Sequence, residues 1–260
     1  MRIALIVMMA LACLASPVAA QDGWRPLFNG RTLDGWYQCN GTAPYSVEEG
    51  VIVGRTVVGS PNSFLCSKES FGDFVLEYEV WVDTNFNSGM QIRSIADPAI
   101  KNGRMHGLQV EVDPSERAWS GGIYDEARRG WLHTLTGQET AQKAFRLKEW
   151  NRFRIEAIGT SIRTWINGVP CADILDDLTM KGVFGIQVHS IGNDASRAGR
   201  LVKFRTSASS RPTSPQIERP PRATPRSTTT SRTRSPSARR RKAGSCCGTA
   251  RRLPAGAARS

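Results

Sequence analysis

The sequence predicts an all-β fold, an antiparallel sandwich of jelly-roll type, on three observations. Runs that alternate apolar and polar residues recur at 74–83, 85–94, 107–113 and 182–189, the period of strands with one buried face. Turn signals separate the β-prone runs. Asn167-Gly168 is the strongest and Glu49-Gly50 a second. Helical periodicity is nearly missing, with residues 140–150 as the one plausible helix, and a short one. Many short alternating strands with little helix pack as two antiparallel sheets.

Three segments have different compositions. In residues 1–20, Arg2 precedes an apolar run over 3–14, and Val18-Ala19-Ala20 supplies small residues for cleavage. This is the pattern of a secretory signal peptide, too short to span a membrane as a helix. The expected product is exported to the periplasm or the extracellular space. Cys13 resembles a lipoprotein signal only faintly. Residues 21–205 suit one domain with a substantial core. Residues 206–260 hold 13 of the chain's 35 Lys and Arg and one of its 23 acids, leaving 22 basic and 22 acidic residues before them. The formal net charge of +12 therefore belongs to the tail. With a neutral body, a nucleic-acid partner loses its main support. The tail has too few large apolar residues to offset its chain entropy, so disorder is expected. Because the shift falls inside a strand pattern, a frameshift in GC-rich DNA is preferred over a basic arm.

Within the body, 23–36 is dense in turn residues and in aromatics that pack a domain edge, and 45–54 reads as a hairpin about Glu49-Gly50. The clearest strand, 74–83, sets Phe74, Leu76, Tyr78, Val80 and Val82 on one face. Next, Met90 and Ile92 point inward while Gln91 and Arg93 point away. A basic loop at 101–104 leads into 106–131. There Leu108, Val110 and Val112 alternate with Gln109, Glu111 and Asp113, and a glycine-rich loop carrying Trp119, Tyr124 and Trp131 follows. Phe153, Ile155 and Ala157 mark another strand, and 161–172 a hairpin about Asn167-Gly168. In 182–189, Phe184, Ile186 and Val188 are inward and Gln187 and His189 outward. A last strand begins at 201.

Cys39, Cys66 and Cys171 form no CxxC pair and have no histidine at metal spacing, and no cofactor is predicted. Export permits a disulfide, for which Cys39 with Cys66 is the candidate; free buried thiols are the alternative.

Three strands thus put polar residues opposite their aliphatics: Gln91 and Arg93; Gln109, Glu111 and Asp113; Gln187 and His189. If these strands are neighbours, the residues converge on one hollow the size of a sugar, bringing an acid/base pair, a cation and amides together. That reading requires Arg93, Glu111 and His189 to reach one hexose. A plain solvent-facing polar surface is the alternative. Trp119, Tyr124 and Trp131 are candidates for stacking on a sugar ring, or for packing the loop onto the sandwich. Asp125 with the arginines after it reads as a loop-fixing set. No phosphate loop, GxSxG or HExxH is present.

In order, LFNGRTLDGW, FGDFVLEYEV, NSGMQIRS, NGRMHGLQVEVD, SGGIYDEARRGWL, EWNRFRIEAIG, TWINGVP and GIQVH resemble the motifs of the 3-keto-disaccharide hydrolase family. The departure comes at the end, where VKFRTSAS stands for a family strand reading like VRFRNIRI. The resemblance implies a concanavalin A-like jelly roll acting on a glycoside whose C3 is already a ketone. Such a ketone acidifies the C2 proton, so a base can drive β-elimination of the C1 aglycone, and water can then add to the 2-hydroxyglycal. Glu111 and His189 are the expected acid and base, with Arg93 on the enolate oxygen. Gln91, Gln109, Asp113 and Gln187, with Tyr124 and Trp119, are expected to hold the sugar. The implied pathway partner is a sugar 3-oxidoreductase. A non-catalytic carbohydrate-binding module is the alternative.

Overall fold

The computed structural model describes residues 24–210, with side chains for 24–205. The described strands are, in chain order, β1 (Trp36–Asn40), β2 (Tyr45–Glu48), β3 (Val51–Arg55), β4 (Ser63–Phe71), β5 (Phe74–Val82), β6 (Ser88–Ile95), β7 (His106–Val112), β8 (Ile123–Glu126), β9 (Gly130–His133), β10 (Asn151–Ile158), β11 (Ser161–Ile166), β12 (Val169–Leu175), β13 (Gly182–Val188) and β14 (Leu201–Ser210). They form two antiparallel sheets of seven. The front sheet runs β1-β4-β13-β6-β7-β8-β9 and the back sheet β12-β11-β10-β5-β14-β3-β2. The interleaved order is that of the expected jelly roll.

The alternation of the sequence becomes the core. Leu76, Tyr78, Val80, Phe153, Ile155 and Phe204 of the back sheet meet Met90, Ile92, Leu108, Val110, Phe184 and Ile186 of the front sheet, all with at most 1% exposure. Burial of each such side chain stabilises the fold by about 1.5–3 kcal/mol. Both expected hairpins form. Glu49 and Gly50 have φ of 49° and 80°, and Asn167 and Gly168 have 50° and 83°, left-handed at both central positions as a type I′ turn requires. Cys39 and Cys66 are bonded across the β1–β4 pair, 5.9 Å apart at Cα, while Cys171 is a buried free thiol.

One expected element changes. The helix at 140–150 shrinks to one turn, Glu139–Gln142. Buried Asn151 captures the next segment instead, its amide donating to the carbonyls of Arg146 and Glu149 and its oxygen accepting from Arg146 N, while Lys148 turns left-handed at φ 62°. At the other end, β14 crosses the composition shift and pairs Thr206 with Tyr78 and Ser210 with Val75. The strand boundary therefore lies past 205. The signal-like segment and the tail from 211 lie outside the described residues.

Arg93 is the main correction. Its φ is +46°, and the register slips between Ile92 and Ile95 against β7 and between Val183 and Gly185 against β13. This bulge breaks the two-residue period, so Arg93 does not share the face of Gln91. Gly182 allows the close approach, since a Cβ there would lie 2.5 Å from the Arg93 carbonyl carbon. The guanidinium is fully buried and donates to Gly72 O (3.0 Å), Gly159 O (2.7 Å) and Asp73 Oδ1 (3.0 Å). It joins the β4–β5 and β10–β11 turns and so ties one end of the sandwich. Arg93→Met would strand these acceptors and is expected to lower unfolding free energy by about 3 kcal/mol. Urea denaturation checks this; an unchanged midpoint would refute the clamp.

Candidate functional site

Strands β13, β6 and β7 are neighbours in the front sheet, so their polar faces meet side by side. A directed chain of hydrogen bonds crosses this floor. Ser94 Oγ donates to Gln91 Oε1 (2.7 Å), Gln91 Nε2 to Gln109 Oε1 (2.8 Å), and Gln109 Nε2 to Glu111 Oε2 (3.0 Å). Gly89 opposite Glu111 makes this possible, because a Cβ there would fall 2.6 Å from Gln109 Cδ. Asn87 Nδ2 donates to the other carboxyl oxygen, Oε1, at 2.5 Å. Each amide has its orientation fixed by the one before it.

The Glu111 carboxyl, 3% exposed, ends this chain. Burial raises its pKa from 4.5 to about 7, aided by the charges of Asp113 and Glu126 and opposed by the two amide donors. His189 is shifted the other way. Burial and the nearby Arg197 hold it below its usual 6.5, against the Ser190 carbonyl and Asp113, so the imidazole is neutral at pH 7. Its Nδ1 donates to Ser190 O at 2.8 Å, which leaves Nε2 as the acceptor. Gln187 Oε1 lies 3.4 Å from Gln109 Nε2, but Gln187 Nε2 is buried with no partner. A buried, unpartnered donor beside a cavity is poised for a ligand acceptor.

The cavity has a volume of about 320 Å³, within the range of small-molecule sites. Gln109, Glu111 and Gln187 contribute to its floor; Tyr124, Trp131 and His189 to its walls; Asn62, Arg104, Arg117 and Glu126 to its rim. The wall is fixed by the β8–β9 hairpin. Fully buried Asp125 accepts from Arg128 Nε at 2.6 Å and from Arg129, which also reaches Asp176 at 2.6 Å. This set fixes the loop as expected and holds Tyr124 edge-on to Trp131 at 5.3 Å.

Of the sequence-predicted residues, Glu111, His189, Gln109, Gln187 and Tyr124 line this cavity together, so the requirement that Arg93 reach the same hexose as Glu111 and His189 is not met, and the site has to work without that cation. Gln91 lies beneath, bonded to Gln109. Asp113 is taken up by Arg117 at 2.8 Å and Ser115 N, outside the lining. Trp119 stands behind Trp131, edge-on at 4.9 Å. Arg93 is at the sandwich end. Asn62, Asn87, Arg104, Arg117 and Glu126 were not anticipated. Glu126 had a signal, since it is two residues from Tyr124 on one strand and must share its face. The others come from loops with no period. Among the described residues no three His, Cys, Asp or Glu side chains are grouped to hold a metal, and no helix is long and apolar enough to cross a membrane.

Solved structures share the fold. A putative glycosyl hydrolase from Parabacteroides distasonis is 16% identical with a TM-score of 0.52, over 72% of this chain and 92% of its own. A protein of unknown function with a galectin-like fold from Bacillus subtilis is 12% identical with a TM-score of 0.51, over 72% and 98%. No curated protein matches. The family model described as the 3-keto-alpha-glucoside-1,2-lyase-like domain matches residues 23–207, the whole sandwich up to its last strand. The chain therefore belongs to the 3-keto-alpha-glucoside-1,2-lyase-like domain family and is a carbohydrate-active protein.

Proposed function

We propose that this domain cleaves 3-keto-glycosides by eliminating the C1 substituent and then hydrating the 2-hydroxyglycal. The observation that carries this reading is the Glu111 carboxyl, buried in a polar cavity with a pKa of about 7, beside the unpartnered Gln187 Nε2. A base is most effective when its pKa is near the working pH, and Glu111 meets that condition. It takes the C2 proton; the C2–H electron pair becomes the enolate, whose charge settles on the C3 oxygen. Gln187 Nε2 donates to that oxygen, the role the sequence assigns to Arg93. The enolate expels the C1 oxygen, which leaves with a proton. Water then adds, its hydroxyl bonding to C1 and its remaining proton passing to solvent, while Glu111 returns its proton to C2. His189 Nε2 accepts from a sugar hydroxyl or from that water.

The Cys39–Cys66 bridge supports export, since such bonds persist in oxidising compartments. The ketone must come from an oxidation upstream, so a sugar 3-oxidoreductase is the proposed pathway partner.

Release of aglycone from a 3-keto-glucoside by the purified protein tests the reaction. A binding module would hold the sugar and release nothing. Glu111→Gln is expected to lower kcat by about 10² or more. In the parent, kcat/KM should rise with pH through about 7, because the base must be ionised. A pH-independent kcat/KM, or full turnover by the variant, removes Glu111 from the reaction.

Glu111 also links stability to pH. Its folded pKa lies above the unfolded value, so its contribution is present below pH 4.5 and lost as pH rises through about 7. Relative to the parent, Glu111→Gln should gain up to about 3 kcal/mol at pH 8 and little at pH 4. Denaturation at both pH values checks this, and an equal effect at the two would contradict it.

A further inference from the structure

A second cavity of about 470 Å³ adjoins the first, and Asn62, Arg104 and Glu126 line both. We propose that it is the subsite for the leaving group, a second sugar ring, and that Glu126 at the junction hands its proton to the departing glycosidic oxygen. This rests on the reaction proposed above.

The lining of this lobe is suited to a sugar. Phe64 and Met105, almost wholly buried, line it together with Asn40, Asn102 and Arg104, so apolar and polar residues are mixed around it. A sugar ring offers the same mixture, C–H groups on its faces and hydroxyls at its edge. The wall is also built rather than incidental. Asn40 Nδ2 donates to Gly103 O at 2.8 Å and its Oδ1 accepts from Met105 N, while the disulfide anchors the residue before it. Asn40 therefore holds the 102–105 loop against β1.

Glu126 occupies the boundary for a topological reason. On the β7–β8 pair, Gln109 faces Tyr124 and Gly107 faces Glu126. Tyr124 and Glu126 share a face, and Glu111 lies on the same face beyond Gln109. A ring seated over Tyr124 therefore lies between the two carboxyl groups, its C1 oxygen directed to the junction. Glu126 is 7% exposed and forms a long ion pair with the exposed Arg104 at 3.7 Å. Burial raises its pKa above the usual 4.5, against Arg104 and Asn62. In the step, the Glu126 O–H proton passes to the glycosidic oxygen as the C1–O bond breaks; that bond's electron pair stays with the oxygen. The resulting carboxylate is reprotonated from solvent.

Three substrates test this with the full-length protein: a 3-keto-disaccharide, methyl 3-keto-glucoside and para-nitrophenyl 3-keto-glucoside. Nitrophenolate leaves without a proton, so Glu126→Gln should lower kcat about a hundredfold or more on the first two and less than about tenfold on the third. Asn102→Gly keeps the backbone, since Asn102 has φ 54°, and removes only the amide. It should raise KM for the disaccharide about fivefold or more and shift the methyl glycoside less. Equal losses on all three substrates for Glu126→Gln, or equal KM shifts for Asn102→Gly, overturn the proposal. If the parent releases nothing from any substrate, the reaction itself is wrong. Calorimetry with unmodified glucose and a glucose disaccharide then decides the subsite. A disaccharide preference of about tenfold, abolished by Asn102→Gly, supports a second sugar site; equal affinities overturn it.

Discussion

The site depends on one interaction, the burial of the Glu111 carboxyl at the end of a chain of amides. A carboxylate removed from water is destabilised unless donors surround it. Asn87 and Gln109 supply one donor each, enough to fix the group but too few to restore an ordinary acidity. The surplus is a carboxyl that changes protonation near neutral pH. The same setting holds Gln187 in place while leaving its amide nitrogen unused.

Such a floor stays ordered only on a rigid support. The three strands that carry it are buttressed from behind by the aromatic and aliphatic core, with Phe184 stacked on Phe71 at 4.1 Å and edge-on to Phe74 at 4.8 Å. Around it, charge is spent on structure. Arg93 closes one end of the sandwich, Arg117 takes Asp113, and Asp125 locks the hairpin bearing Tyr124 and Trp131. The cations that a sequence pattern suggests for chemistry are here mostly structural. The fully buried one is bonded to main-chain carbonyls, which suits five fixed guanidinium donors.

The two-lobed hollow follows from chain order. Strand β8 runs beside β7, so its Tyr124 and Glu126 extend the polar face of β7 toward the loop at 102–105. The disulfide pins the far side of that loop through Asn40. Position along a strand pair thus separates two buried carboxyl groups and gives them different surroundings.

The sequence by itself determined the architecture and most of the floor. Two-residue alternation is a local property of the backbone, so the residues opposite the aliphatics of β7 and β13 were legible as Gln109, Glu111 and Gln187, and the type I′ turns were legible from Glu49-Gly50 and Asn167-Gly168. Tertiary structure decided what alternation cannot encode. A single bulge turned Arg93 away from Gln91, and Asn151 replaced most of a helix with turns. Asn62, Asn87 and Arg104 entered from loops, and β14 ran past the point where composition shifts. These depend on contacts between segments distant in sequence, such as Arg93 with Gly159, whose free energy is fixed by packing rather than by any neighbouring residue.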